Sequence, residues 1–322
     1  MNRLLALFFA SLTLVPGVAG ADYPSKAISL IVPYAAGGSN DTLSRILAEH
    51  MSKTLGRPII VDNEPGAAGT TATTRAARAA PDGYTIIMGN MGTHGAAPAQ
   101  YPDLKYDPIK DFAPVGLAAE VPAVIVTRKD FPANSLAEFI DYLRTNRDKV
   151  SEAHVGVGAP THLFCTMLQS IIGVQTARVP YRGGAPAMND LMGGQVDFSC
   201  ISLSGAISQI QSGTLKAIAI ASPHRADIIP NIPTTVESGL PQFVVSTWNA
   251  IFAPKSLTPE IQAKLSHALN KALDDEATRK RLVEMGFVIP DATRRTPEAL
   301  RELVASEVPR WGKVATSSLG KN

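Results

Sequence analysis

Short runs rich in apolar and β-branched residues recur along the chain with helical patterns between them, and this alternation constrains the fold more than any other feature. They are Ile28 to Val32, Pro58 to Val61, Tyr84 to Met88, Val124 to Thr127, His154 to Val157, Ala177 to Val179, Val196 to Ser199, Leu215 to Ala221 and Val244 to Phe252. Strand alternating with helix predicts the α/β class, with parallel sheets covered by helices. Helix starts are marked by Ser135 with Glu138 three residues on, a capping box, and by Thr258 and Thr296, each followed by proline.

After Phe252 the alternation stops, and three helical patterns follow: Pro259 to Leu273, Glu276 to Met285 and Pro297 to Val314. In the first, Ile261, Leu265, Ala268, Leu269 and Ala272 share one face, so it packs on something already built. A chain that ends in helices covering its N-terminal α/β unit has left that unit, built a second and returned. The expected partition is residues 22–121 with 224–322 as one domain and 122–223 as the other, hinged at crossings near residues 122 and 223–243.

Arg3, the apolar stretch Leu4 to Val15 and the small residues Ala19-Gly20-Ala21 read as a secretory signal peptide over residues 1–21, cleaved after Ala21. The stretch is shorter than the roughly 20 apolar residues that span a bilayer. With no cysteine beside the cut, the expected product is a periplasmic protein without an anchor. A composition of 45% hydrophobic and 18% charged residues is globular, and a formal charge of +2 without a basic stripe disfavours nucleic acid. Cys165 and Cys200 read either as a disulfide in an oxidising compartment or as two buried thiols. A disulfide is expected, because one falls in the first turn of a helix and the other at the end of a nearby strand.

Two glycine-bearing turns lead from strand to helix. The first is Pro33-Tyr34-Ala35-Ala36-Gly37-Gly38-Ser39-Asn40-Asp41, in which Ser39 or Asn40 is expected to cap the helix that follows. The second is Val155-Gly156-Val157-Gly158-Ala159-Pro160-Thr161-His162-Leu163, expected to enter a helix over Leu163 to Ile171. A helix N-terminus with glycines before it can turn amides toward an anion, although either turn alone also reads as an ordinary connection. No P-loop lysine is present, which disfavours nucleotide chemistry. Two such turns in separate halves suit a pincer, since α/β sheets bind ligands beyond the carboxyl ends of their strands.

Further motifs surround these turns: Ile31-Val32-Pro33-Tyr34 through Asp41, Val61-Asp62-Asn63-Glu64-Pro65-Gly66-Ala67-Ala68-Gly69 and Ala80-Pro81-Asp82-Gly83-Tyr84-Thr85. They continue through Asp111-Phe112-Ala113-Pro114-Val115, Val179-Pro180-Tyr181-Arg182-Gly183, Gly194-Gln195-Val196-Asp197 and Asn231-Ile232-Pro233-Thr234. In these motifs and their order the chain resembles the Bug-type periplasmic receptors of tripartite tricarboxylate transporters. The resemblance implies a two-domain, type II (Venus flytrap) periplasmic-binding fold closing on an organic carboxylate, without a cofactor or metal. It also implies a two-component integral membrane permease as partner, and a monomer is expected.

Carried over by position, Gly37, Gly38, Ser39 and Asn40 form one jaw and Ala159, Thr161 and His162 the other, while Thr93 and His94 line the cleft. Tyr34 directly precedes the first jaw and would wall the ligand. The family often places an aspartate and then Asn or Gln at the distal end of the ligand, where this chain has Ile201 and Ser202. That departure disfavours amino-acid ligands.

Arg182 could fork onto a ligand carboxylate or stay solvated, and Trp248 could face the cleft or the core. His162 and Cys165 raise a cysteine nucleophile, but no orienting third group is apparent. An exported hydrolase lacks its Gly-x-Ser-x-Gly elbow here, whereas a periplasmic sensing subunit would use the same fold and cleft. His50, His94, His154, His162, His224 and His267 show no metal-ligand spacing.

Overall fold

The structure is a computed structural model that describes residues 23–34, 36–156, 159–181 and 184–319; the expected signal peptide and Arg182 lie outside these. In chain order the strands are β1 (Ile28–Val32), β2 (Ile59–Asn63), β3 (Thr85–Asn90), β4 (Phe112–Arg128), β5 (Ser151–His154), β6 (Ala177–Pro180), β7 (Phe198–Ser202), β8 (Leu215–Ile220) and β9 (Ser246–Pro254). The helices are α1 (Ser39–Leu55), α2 (Thr70–Ala77), α3 (Ala97–Gln100), α4 (Leu136–Asn146), α5 (Pro160–Ile172), α6 (Gly184–Met192), α7 (Ile207–Gln211), α8 (Pro259–Asp274), α9 (Glu276–Glu284) and α10 (Pro297–Leu319).

The strands join in the order β2-β1-β3-β9-β4-β7-β5-β6, with β8 also paired to β4. β1 is parallel to β2 and β3, and β5 to β6 and β7, as the alternation predicts. β4, β8 and β9 correct that expectation, because they pair antiparallel. The reason is that β4 carries the chain out of the first half and β9 brings it back, and an outgoing strand beside a returning one is antiparallel.

β4 is also far longer than expected. Its 17 residues run from Phe112, paired with β9, to Arg128, paired with β8. Pro114, Gly116 and Pro122 disfavour a continuous strand by their local chemistry, but register shifts at Pro114/Gly116 and Leu117/Ala119 absorb part of that irregularity within one strand. β5 lies three residues earlier than expected because Ser151 and Glu152 read as polar, although Glu152 is wholly buried.

Alternate residues of the inner strands feed opposite faces of the sheet. Leu30 and Ile86 join Leu43 and Leu47 of α1 and Leu265 and Leu269 of α8, while Ile31 and Ile87 join Ala72 of α2 and Leu300 and Trp311 of α10. Burial on both faces explains why these strands read as continuous apolar runs. The C-terminal helices therefore return to the first half, α8 against α1 and β4, and α10 against β4 and α3. The Ser135 and Thr258 caps form as expected, each side chain accepting from the amide three residues on. Cys165 on α5 and Cys200 on β7 are joined as a disulfide, with Cα atoms 5.2 Å apart.

Candidate functional site

Strand register places the two loops opposite each other. β3 is antiparallel to β9, which is antiparallel to β4, so β3 and its parallel neighbour β1 point along β4 in its own direction. β7 and its parallel neighbour β5 point the opposite way. β3 ends at Asn90, which pairs with Asn249 and through it stands level with Ala119 of β4, whereas β7 ends at Ser202, level with Ala123. The carboxyl ends of the two halves thus converge on β4 four residues apart (123 − 119), roughly 13 Å at strand rise.

β9 supplies the floor of this gap. Thr247 and Asn249 are alternate residues and share a face: Thr247 Oγ1 is 3.3 Å from Ser202 Oγ, and Asn249 Oδ1 accepts from Asn40 Nδ2 at 3.0 Å. Trp248, between them, points to the opposite face, where its Nε1 donates to the buried Glu307 carboxylate at 3.1 Å. The cleft is therefore not lined by Trp248.

In the first loop, neither Ser39 nor Asn40 caps α1. The N-cap residue is Gly38, and no side chain caps the helix there. Asp41 organises the turn instead, its carboxylate accepting from the Gly37 amide at 2.8 Å, Arg45 Nε at 3.1 Å and Asn63 Nδ2 at 3.0 Å. Burial alone would raise the Asp41 pKa, but these donors outweigh it and hold the carboxyl below its ordinary range. Gly37 takes φ +85°, a left-handed conformation that costs glycine little. The first turn of α1 leaves the Ser39, Asn40 and Asp41 amides without intrahelical acceptors, the arrangement that receives an anion. Gly37, Ser39 and Thr42 share a cavity of about 500 Å³ with Ser202 and Ser204. Tyr34 is half-buried, and its hydroxyl donates to Asn90 Oδ1 at 3.1 Å.

In the second loop, α5 begins at Pro160, earlier than expected, because proline suits the first position of a helix. Thr161 Oγ1 accepts from the Val155 amide at 3.0 Å, His154 Nδ1 from the Gly156 amide at 3.2 Å, and Gly156 O from the Ala159 amide at 3.2 Å. His154 and His162 are both buried, with ring centroids 5.0 Å apart. Burial lowers the pKa of both, His162 to about 4.

Thr93 and His94 correct an expectation, since both are fully buried and do not reach the gap. His94 stacks on Phe252 at 4.0 Å with its edge toward Phe112, and burial pushes its pKa down to about 3. Its neighbour Thr93 is turned inward to Asn90 and the His94 ring. Ser202 lines the cavity, while Ile201 beside it is half-buried, packs against the core and lies close to Gly205. Asn90, Thr247, Asn249, Asp41 and His154 hold the two loops and the gap between them, and sequence reasoning did not single them out. The alternation Thr247-Trp248-Asn249 was a usable signal; the pairing partners of the others were not in the sequence. Among the described residues no helix is long and apolar enough to cross a membrane, and no cluster of His, Cys, Asp or Glu could hold a metal ion.

Comparison with known proteins agrees with this architecture. MatC from Rhodopseudomonas palustris with bound malate is 41% identical with a TM-score of 0.79, over 91% of this chain and 100% of that one. An R. palustris protein with adipate is 29% identical with a TM-score of 0.80, over 92% and 98%. BugT of Bordetella pertussis is 33% identical over 100% of this chain and 99% of its own length. The model of the tripartite tricarboxylate transporter family receptor matches residues 43–318. The fold is that of two-domain periplasmic binding proteins, and the chain belongs to the tripartite tricarboxylate transporter receptor family.

Proposed function

We propose that this protein captures a small organic carboxylate, a di- or tricarboxylate or an aromatic acid, between the two loops and delivers it to a two-component membrane permease from the periplasm. The observation that carries this reading is that β1 and β5, which lead into the two glycine-bearing turns, run toward each other beside β3 and β7, whose carboxyl ends stand four residues apart along β4. The amides at the start of α1 suit one carboxylate, and Thr161 with α5 suits its other side. Arg182, next to the second half's strand ends in sequence, belongs to the same proposal.

The bodies that close would be residues 22–121 with 224–322 and residues 122–223, hinged at β4 near residue 122 and at the 223–243 segment. Relatives with malate and adipate support an acid with two carboxylates. The role is binding without catalysis: Cys165, the nucleophile worth considering, is tied to Cys200 and has no thiolate to offer. That disulfide also suits an oxidising compartment.

A thermal-shift series with mono-, di-, tri- and aromatic carboxylates tests the proposal. A ligand at a hundredfold excess over its Kd should stabilise by about 2.7 kcal/mol. No shift with any acid would overturn it.

A further inference from the structure

Beneath the second loop, α5 lies across the face of β5 that carries Glu152 and His154. Gln169 on α5 donates to Glu152, and two helical turns earlier His162 meets His154. The end of this ladder holds the loop itself. Two successive amides at its base, Val155 and Gly156, are taken by side-chain acceptors, the Thr161 hydroxyl and the His154 ring. Gly156, at φ +113°, then accepts from the Ala159 amide at 3.2 Å. Thr161 cannot change protonation in the working range, whereas His154 can.

We propose that His154 is a positioning residue of the binding site, whose unprotonated Nδ1 holds the Gly156 amide and whose protonation releases the second jaw and its ligand. The inference rests on the carboxylate-binding reading above. An imidazole nitrogen that accepts a hydrogen bond carries no proton, so the hold exists only in the neutral ring. The surroundings keep it neutral. Glu152 on the same strand is pushed up to about 8 by burial and supplies no anionic partner at pH 7. From the elements packed against β5 come His162 on α5, itself held neutral by burial, and Arg178 on β6, a cation that opposes a further positive charge. Tyr181 follows β6, and its hydroxyl donates a hydrogen bond to Asp190 on α6.

Two variants separate the chemistry from mere packing. Asparagine can present a carbonyl oxygen where the ring presents Nδ1 but does not titrate, whereas leucine fills space and accepts nothing. The first readout is amide exchange of Gly156 by NMR in ligand-free protein, corrected for intrinsic rate at each pH, with Val155 as reference. At pH 7.5 His154→Leu should lower Gly156 protection about tenfold, the equivalent of about 1.4 kcal/mol. His154→Asn should recover most of that loss. As pH falls below the ordinary histidine value of 6.5, toward 4, wild type should lose protection and His154→Asn should not.

The second readout is the Kd for malate and adipate in the same proteins. It should follow the same order, and the ligand's own titration cancels in the ratio of variant to wild type. Gly156 protection that is equal in wild type and His154→Leu, or that falls with acid equally in His154→Asn, would overturn the inference. Failure of wild type to bind either acid would overturn the carboxylate reading, while the exchange measurement would still decide the role of His154.

Discussion

Asp41 shows how a residue outside the expected ligand set can decide whether the set works. Its carboxylate gathers the Gly37 amide, Arg45 and Asn63, and so fixes the turn that aims the first-turn amides of α1. Asp41→Ala should weaken dicarboxylate binding about tenfold or more and cost about 1 to 3 kcal/mol in urea unfolding, because it strands several donors. Unchanged affinity would show that the jaw does not depend on this anchor. His94 illustrates the opposite case, a residue expected at the ligand that belongs to the core. Its folded pKa of about 3 lies below the ordinary 6.5, so in this interval the unfolded chain binds the extra proton. Stability attributable to His94 is intact above pH 6.5 and is lost as pH falls toward 3. Wild type should therefore lose up to about 1.4 kcal/mol per pH unit relative to His94→Phe in that window. A difference that stays constant from pH 7 to pH 4 would contradict the burial of a neutral ring.

At the scale of elements, the parts legible in sequence were those governed by local chemistry. Capping at Ser135 and Thr258, the apolar face of α8 and the existence of nine strand-forming runs all follow from neighbours in the chain. β4 was not legible, because Pro114 and Gly116 break the pattern locally and only pairing with β9 across bulges makes the strand continuous. The cap of α1 failed for a related reason: Ser39 and Asn40 have the right chemistry, but Asn40 is drawn to Asn249, 209 residues away. The disulfide ties α5 to β7 and so fixes the second loop's helix to the strand end facing the first loop. It closes a loop of 35 residues, and the double variant Cys165→Ala, Cys200→Ala should lose about 4 kcal/mol in chemical unfolding on the chain-entropy account. A loss below about 1 kcal/mol would mean that the bond constrains the folded protein rather than the unfolded chain.

For the whole molecule, the sequence pointed to two α/β halves and a return of the chain, but not to the continuity of the sheet. On the proposed partition β4 runs across the boundary near residue 122, so closure would bend this strand and the 223–243 segment. Ligand should therefore make the protein more compact, and small-angle scattering with saturating malate should show a smaller radius of gyration than without it; an unchanged radius would leave closure unsupported. The identity of the acid was not legible, because the floor is built from Thr247, Asn249 and Ser202, whose convergence exists only in the fold. The central claim is that the first turn of α1 and the start of α5 grip a carboxylate as an anion. Calorimetric titration of malate and of its dimethyl ester into the protein tests it most directly, since the two share a skeleton and differ in charge. The acid should bind and the ester should lose at least about a hundredfold in affinity, about 2.8 kcal/mol; equal affinities would contradict the claim.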